Sequence, residues 1–235
     1  MKLKQLSLRL ERAASYVPEG SRLADIGSDH AYLPCVLAAE GKIEFAVAGE
    51  IIEGPFKIAE NQIKRLNLHN EVSVRLGDGL EVIDPDLDNI SAITICGMGG
   101  VLIATILDEG YQMGKLTGKE RLILQPNKDE AELRTWLIEH QYQVIAEELV
   151  EENTKIYEII IAEKSHEENV SFSDKDLFFG FHLRKQLSPL FIKKWTGELA
   201  KNKEILADLP KSSTDQSDKI HEFKIKIAAI EELLK

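Results

Sequence analysis

Hydrophobic positions along the chain fall into two rhythms. Through residue 163, short apolar runs alternate with amphipathic stretches; beyond residue 173 the apolar residues recur at helical spacing. Residues 3–16 carry a helical pattern that ends near Pro18-Glu19-Gly20, where glycine and proline break it. Leu23–Ile26 is then a buried strand, Ala31–Glu40 a helix, Phe45–Glu50 a strand and Pro55–Leu68 an amphipathic helix. Val72–Leu76 is a strand interrupted by Gly77-Asp78-Gly79, and Ile90–Cys96 a strand with Val101–Leu107 helical after it. Arg121–Gln125 is a strand closed by Pro126; Asn127 with Glu130 has the spacing of a capping box, opening a helix to about His140. Five such alternations predict a mostly parallel sheet with helices on both faces. Gln143–Glu148 and Lys155–Ala162 leave no room for a helix between them, so they predict an antiparallel edge hairpin turning at Asn153-Thr154. The expected class is α/β, with a seven-stranded Rossmann-like sheet.

The second rhythm follows a polar linker at residues 164–173. Ser188-Pro189 suggests a helix start with proline at its first position. Ile192, Trp195, Leu199, Leu206 and Leu209 keep a 3-4 spacing, with Asn202 in one apolar slot. After the turn-rich Pro210–Asp215, residues Ile220, Phe223, Ile227, Ile230 and Leu234 repeat it. Two such seams predict an antiparallel coiled-coil hairpin. The expected domains are residues 1–163 and a helical coiled-coil domain at 174–235.

Composition changes this picture in one respect. The net charge is −11, yet residues 171–235 hold twelve Lys/Arg against ten Asp/Glu, leaving 17 against 30 for the remainder. The tail is a different compositional object from the body, and a local basic face on it is compatible with nucleic acid. Cys35 and Cys96 stand in apolar surroundings, with no disulfide framework and no zinc spacing. No metal is expected. No apolar run approaches the ~20 residues of a membrane span, so a cytoplasmic protein is expected, monomeric or weakly dimeric.

Ligands of an open α/β sheet bind at the carboxyl ends of the strands. The first strand ends in Asp25-Ile26-Gly27-Ser28-Asp29-His30, the second at Glu50-Ile51, the third at Asp78-Gly79, and the fourth at Gly97-Met98-Gly99-Gly100. A dinucleotide pyrophosphate wants bare amides at a helix N-terminus, and Asp25 and Asp29 would repel it. S-adenosylmethionine has no phosphate. Its ammonium suits the acidic first loop, its ribose hydroxyls suit Glu50, and its adenine amine suits Asp78 beside the Gly79 backbone. The expected cofactor residues are Asp25, Gly27, Ser28, Asp29, Glu50, Ile51, Asp78, Gly79, Gly97 and Met98. Taken singly, Asp25 is equally a helix cap and Asp78-Gly79 an ordinary turn; recurrence at successive strand ends raises the cofactor reading. Trp136 is expected in the core.

Leu23-Ala24-Asp25-Ile26-Gly27-Ser28-Asp29-His30-Ala31-Tyr32-Leu33-Pro34, Ala48-Gly49-Glu50, Gly77-Asp78-Gly79, Ile95-Cys96-Gly97-Met98-Gly99-Gly100 and Gln125-Pro126-Asn127 together resemble the bacterial tRNA (adenine-N1)-methyltransferases acting on adenine 22 of tRNA. The resemblance covers the whole chain. It implies a class I methyltransferase fold, S-adenosylmethionine as cofactor and tRNA as partner. Many amino-methylating enzymes end the fourth strand with Asn or Asp followed by Pro-Pro and an aromatic; here Cys96-Gly97-Met98 stands there, so no amine-orienting residue carries over. Adenine N1 has a free lone pair, so alignment supplies much of the barrier reduction. A carboxylate can stabilise the cationic product. Asp29 is the first catalytic candidate, with His30 and Tyr32 next; a helix-start histidine bonded to backbone is the plainer reading of His30. The cations available for RNA are Lys2, Lys4, Arg9 and Arg12 near the start and Arg184, Lys185, Lys193, Lys194, Lys201 and Lys203 in the tail. Two alternatives stay open: a methyltransferase of a small molecule or protein with a dimerising tail, and a non-catalytic nucleotide-binding scaffold.

Overall fold

A computed structural model describes residues 5–165, 172–209 and 216–235. Its seven strands are β1 (Ser21–Ile26), β2 (Ile43–Glu50), β3 (Val72–Leu76), β4 (Ala92–Met98), β5 (Arg121–Pro126), β6 (Tyr142–Glu152) and β7 (Lys155–Lys164). They form one sheet in the order β3-β2-β1-β4-β5-β7-β6. Neighbours from β3 to β5 are parallel, and β7 is antiparallel to both β5 and β6. The edge hairpin turns at Asn153 and Thr154, at φ 50° and 67°. Two left-handed residues match the strand twist.

Period-two alternation sorts the side chains onto two faces. Ala24, Ile26, Leu122, Leu124, Ile160 and Ala162 face one core. It is covered by α5 (Gly100–Gln112) and α6 (Glu130–Glu139), which contribute Ile103, Leu107, Leu133 and Trp136. Leu23, Ile123, Ile159 and Ile161 face the other core, under α1 (Leu8–Ser15), α2 (Tyr32–Ala39) and α3 (Glu53–Leu66). Each large aliphatic residue among them contributes roughly 1.5–3 kcal/mol by burial.

Two expectations need correction. The first helix begins at Leu8, because the Ser7 hydroxyl accepts from Leu10 N and caps it; Lys2 and Lys4 lie outside the described residues. Asn127 does not cap α6. Asp129 holds the N-cap position at φ 60°, with no side-chain cap bond, and Asn127 is engaged elsewhere.

The short α4 (Pro85–Asp88) lies between β3 and β4. After β7, α7 (Asp174–Phe179) packs with the first unit, which extends to His182. The fully buried Arg134 joins Glu147 at 2.7 Å, pairs with Glu158, and donates to Leu177 O at 3.2 Å. Burial opposes the Arg134 charge, but the two carboxylates outweigh it and raise its pKa. Residues 174–182, expected in the tail, are thereby tied to the sheet.

The second unit, Leu183–Lys235, holds α8 (Leu183–Gln186), α9 (Pro189–Asp208) and α10 (Ser217–Leu233). Ser188 caps α9 by accepting from Phe191 N at 3.2 Å, with Pro189 next, as expected. Helices α9 and α10 contact one another, with Lys203 Nζ 2.6 Å from Glu231 Oε1. Trp195, Ile227 and Ile230 are buried. Ile192 is exposed and Phe191 buried in its place, so the apolar seam is one residue out of step at its start. The expected break at Pro210–Asp215 lies outside the described residues. Among the described residues, no helix is long and apolar enough to cross a membrane, and no group of three His, Cys, Asp or Glu can hold a metal.

Candidate active site

Strand order reverses between β1 and β4, and the cleft lies at their carboxyl ends, where such sheets bind ligands. It is lined by Ile26, Gly27, Gly49, Ile51, Gly77, Asp78, Gly79, Met98, Leu102 and Ile106.

The loop after β1 builds one lip. Gly27 has φ +66°, and Asp29, His30 and Ala31 follow at +46°, +75° and +58°. Left-handed backbone costs a non-glycine residue roughly 1–2 kcal/mol, so the turn persists only because its surroundings hold it. Glu50 is the clasp. This buried carboxylate accepts from Ser28 Oγ at 3.0 Å and from His30 N at 2.8 Å, both on Oε1. Ser28 Oγ also accepts from Ala31 N, and Gly49 O accepts from Gly27 N and Ser28 N. The other Glu50 oxygen carries no further protein bond among the described residues, which suits it to a ligand hydroxyl.

Asp25 lies beneath this loop, buried, accepting from Thr94 Oγ1 at 2.5 Å. Burial pushes its carboxyl up to about 7; the Thr94 bond opposes the rise, while Glu50 and Asp29 add to it. A cation arriving nearby would restore the carboxylate.

The second lip is a bulge at the end of β4. Register slips between Cys96 and Met98 opposite β5, leaving Gly97 unpaired at φ +81°. Side chains replace the lost ladder bonds. Gln125 Oε1 accepts from Gly97 N at 3.0 Å, and Asn127 Nδ2 donates to Gly97 O at 2.6 Å. Gln125 Nε2 donates to Pro126 O at 2.7 Å and to Asn127 Oδ1 at 3.3 Å. The two lips meet where the Met98 methyl lies over Gly27; a Cβ there would overlap it.

The expected cofactor residues therefore converge. Gly27, Ile51, Asp78, Gly79 and Met98 line the cleft; Asp25, Ser28 and Glu50 are buried behind it, and Asp29 and Gly97 are exposed beside it. Glycines give close backbone approach, and carboxylates match hydroxyl and amine donors. No basic side chain lines the cleft among the described residues, so the donor set fits S-adenosylmethionine better than a pyrophosphate. The Asp29 carboxylate is 84% exposed and 3.6 Å from His30 Nε2. His30 meets Tyr32 edge-on at 5.8 Å, and its buried Nδ1 has no hydrogen-bond partner among the described residues.

The expected RNA cations divide. Lys4 lies outside the described residues. Arg12 is committed to Glu148, at 2.8 and 3.0 Å. Half-buried Arg9 turns inward to Gln125 Oε1 and lies 5.3 Å from the Tyr157 ring. Both guanidinium groups thus have partners on the sheet. Lys185 and Lys193 are exposed on α8 and α9, Arg184 is half-buried, and Lys194 lies 5.6 Å from the Trp195 ring. Gln125 and Asn127 stood in a sequence motif without a role, and Thr94 was not singled out, since each acts through contacts that no local pattern encodes.

A family profile described as tRNA (adenine(22)-N(1))-methyltransferase, TrmK, matches residues 23–232. The tRNA (adenine(22)-N(1))-methyltransferase of Bacillus subtilis (strain 168) is 44% identical over 219 residues, spanning 92% of this chain and 90% of that one. The structure of Streptococcus pneumoniae Sp1610 in complex with S-adenosyl-L-methionine superposes with a TM-score of 0.87 at 42% identity, over 98% of this chain and 100% of that one. M. capricolum TrmK in complex with S-adenosyl-homocysteine gives 0.83 at 28% identity, over 98% of each chain. The fold, the cleft and these likenesses agree: the chain belongs to the tRNA (adenine(22)-N(1))-methyltransferase family.

Proposed function

We propose that this protein transfers the methyl group of S-adenosyl-L-methionine to N1 of adenine 22 in tRNA. The observation that carries the reading is the family match, which runs through every strand end of the cleft. The cofactor supplies an electrophilic methyl group on its sulfonium. Glu50 accepts from the ribose hydroxyls, Asp78 and the Gly79 backbone hold the adenine, and Asp25 faces the amino group. Ser28 keeps the first loop turned toward Glu50, while Ile51 and Met98 cover the ligand and exclude water. The Gly97 bulge sets the edge beside the reacting atoms.

N1 of adenine carries a lone pair and no proton, so no base is needed before attack. In-line positioning supplies much of the rate. Asp29 is the proposed catalytic carboxylate: its exposed oxygens offset the charge that develops on the adenine ring. His30 supports it from the strained turn and Tyr32 from the start of α2. In the tail, α9 and α10 are proposed to pair as an antiparallel coiled-coil hairpin, with Arg184, Lys185, Lys193 and Lys194 contacting tRNA phosphates. The working state is a monomer or weak dimer in the cytoplasm, where tRNA is the substrate.

Tritium transfer from methyl-labelled cofactor to a tRNA transcript tests the reading. Label should appear as 1-methyladenosine and vanish when adenine 22 is replaced by guanine. Equal labelling of both transcripts, or none in either, would overturn it.

A further inference from the structure

We propose that Arg9 is a positioning residue for methyl transfer: from α1 it fixes the orientation of the Gln125 amide, and through it the Gly97 bulge. This inference rests on the methyltransferase reading and concerns the same cleft.

The Gln125 amide has two chemically different ends. Its oxygen takes two donors, Arg9 Nη1 and Gly97 N. Its nitrogen serves two acceptors, Pro126 O and Asn127 Oδ1. All four bonds are satisfied in only one orientation, and Gln125 is completely buried, so a flipped amide would face donor with donor. Arg9 supplies one of the two donors that forbid the flip. Its guanidinium also packs against the bulge: a Cβ on Gly97 would lie 3.4 Å from Nη1 and 3.9 Å from Nη2. The Tyr157 ring flanks the guanidinium, and Arg9 N approaches Glu152 Oε1 at 3.4 Å. Arg9 Nε is buried without a hydrogen-bond partner among the described residues, which suits a cation held in place rather than one sweeping solvent for phosphates.

The arrangement supplies from α1 and β5 what Cys96-Gly97-Met98 lacks. Gly97 brings no side chain to the end of β4, and its position is set by the amides of Gln125 and Asn127 under the hold of Arg9.

The test compares wild type with Arg9→Gln, Arg9→Lys and Gln125→Glu, at several tRNA concentrations and two salt concentrations. Cofactor affinity, melting temperature and hydrogen exchange of residues 96–100 are read on the same samples. Arg9→Gln should lower kcat by roughly ten- to a hundredfold, the scale of an ångström-sized misplacement, with the tRNA KM within about twofold, a pure transition-state loss. Arg9→Lys, retaining one donor, should recover part of kcat. Gln125→Glu keeps an acceptor for Arg9 and Gly97 but cannot donate to Asn127, and should also lower kcat while folding normally. Exchange at the bulge should quicken in the Arg9 variants. A raised tRNA KM with a shallower salt dependence at unchanged kcat would overturn the proposal in favour of a phosphate contact. A lowered melting temperature with unchanged kcat and unchanged exchange would reduce Arg9 to packing and equally overturn it. If wild type fails to methylate tRNA, the function reading falls; the exchange data still decide this inference, and unchanged protection overturns it.

Discussion

The two lips of the cleft are built from opposite materials. The lip after β1 is charged and strained: three consecutive non-glycine residues in left-handed backbone, clasped by Glu50 above a buried Asp25. The lip after β4 is neutral: a one-residue bulge whose peptide is held on both sides by the amide side chains of Gln125 and Asn127. Carboxylates meet ligand donors directly, so the first lip should govern cofactor affinity. Amides that hold backbone touch no ligand, so the second should govern the geometry of transfer. Asp29 aside, which meets the substrate base, variants of the buried first-lip carboxylates should move the cofactor Kd, and variants of the amides behind the second lip should move kcat.

The largest effect is expected at Glu50. Glu50→Ala removes two bonds from the strained loop and the proposed ribose acceptor together. Hydrogen bonds to a charged group contribute roughly 1.5–3 kcal/mol each, so calorimetry should show the cofactor Kd raised about a hundredfold or more. A normal Kd with a depressed kcat would erase the contrast between the lips. Asn127→Ala probes the other side. Losing the donor to Gly97 O should lower kcat about tenfold, the loss from one polar contact of roughly 1.4 kcal/mol, and leave the cofactor Kd within about twofold. The comparison breaks if the Kd moves instead.

The same contrast decides what could be read from the chain alone. The carboxylates Asp25, Glu50 and Asp78 lie at or just beyond the ends of apolar strand runs, so they were legible as strand-end residues. The sheet was legible for the same reason: period-two burial sorts Ala24 from Leu23 in β1, and Leu122 from Ile123 in β5. Of the second lip, Gly97-Met98-Gly99-Gly100 was legible as a strand end and Gln125-Pro126-Asn127 as a motif, but not the bonds that join them. Residues 9, 97, 125 and 127 meet only because α1 lies beside β5 and a bulge ejects Gly97, and no local pattern encodes either event. Asn127 has the spacing of a cap, which its tertiary partners overrode, and Arg9 the look of an RNA-facing cation, with nothing local to show its partner Gln125. Three left-handed residues in sequence at Asp29–Ala31 were equally hidden, since Ala31 has no intrinsic preference for that conformation.

Acidity offers a finer probe of the charged lip. Burial raises the folded-state pKa of Asp25 to about 7, above its ordinary value. The unfolded chain therefore loses this proton first, and Asp25 makes the ligand-free protein less stable as pH rises from about 4 to about 7, with no further loss above that. Binding that needs the carboxylate runs the other way: the cofactor Kd should fall about tenfold per pH unit on approaching 7 from below and then level off. Glu50 and Asp29 are the charged neighbours that raise this pKa, and Thr94 opposes them. Thr94→Val should thus move the levelling point upward. An unmoved profile would assign the titration to another group. The Cys96 thiol, pushed by burial to about 12, stays neutral throughout this range.

The smallest effect is expected at Arg12, and it sharpens the contrast most economically. Arg12 and Arg9 are three residues apart on α1, so they share a helix face. Arg12 meets a carboxylate, Glu148, which also accepts from Tyr16 Oη at 3.0 Å; Arg9 meets the amide that holds the bulge. The Arg12 side chain is 45% exposed, and ion pairs in that setting contribute about 1 kcal/mol or less. Arg12→Ala should therefore lower the melting temperature by about 2–4 °C, with kcat and the tRNA KM within about twofold of wild type. A raised KM with a salt slope smaller by about one would return Arg12 to the RNA surface. A fall in kcat matching that of Arg9→Gln would mean that α1 acts as a unit, and that the amide lip depends on the whole helix rather than on one guanidinium.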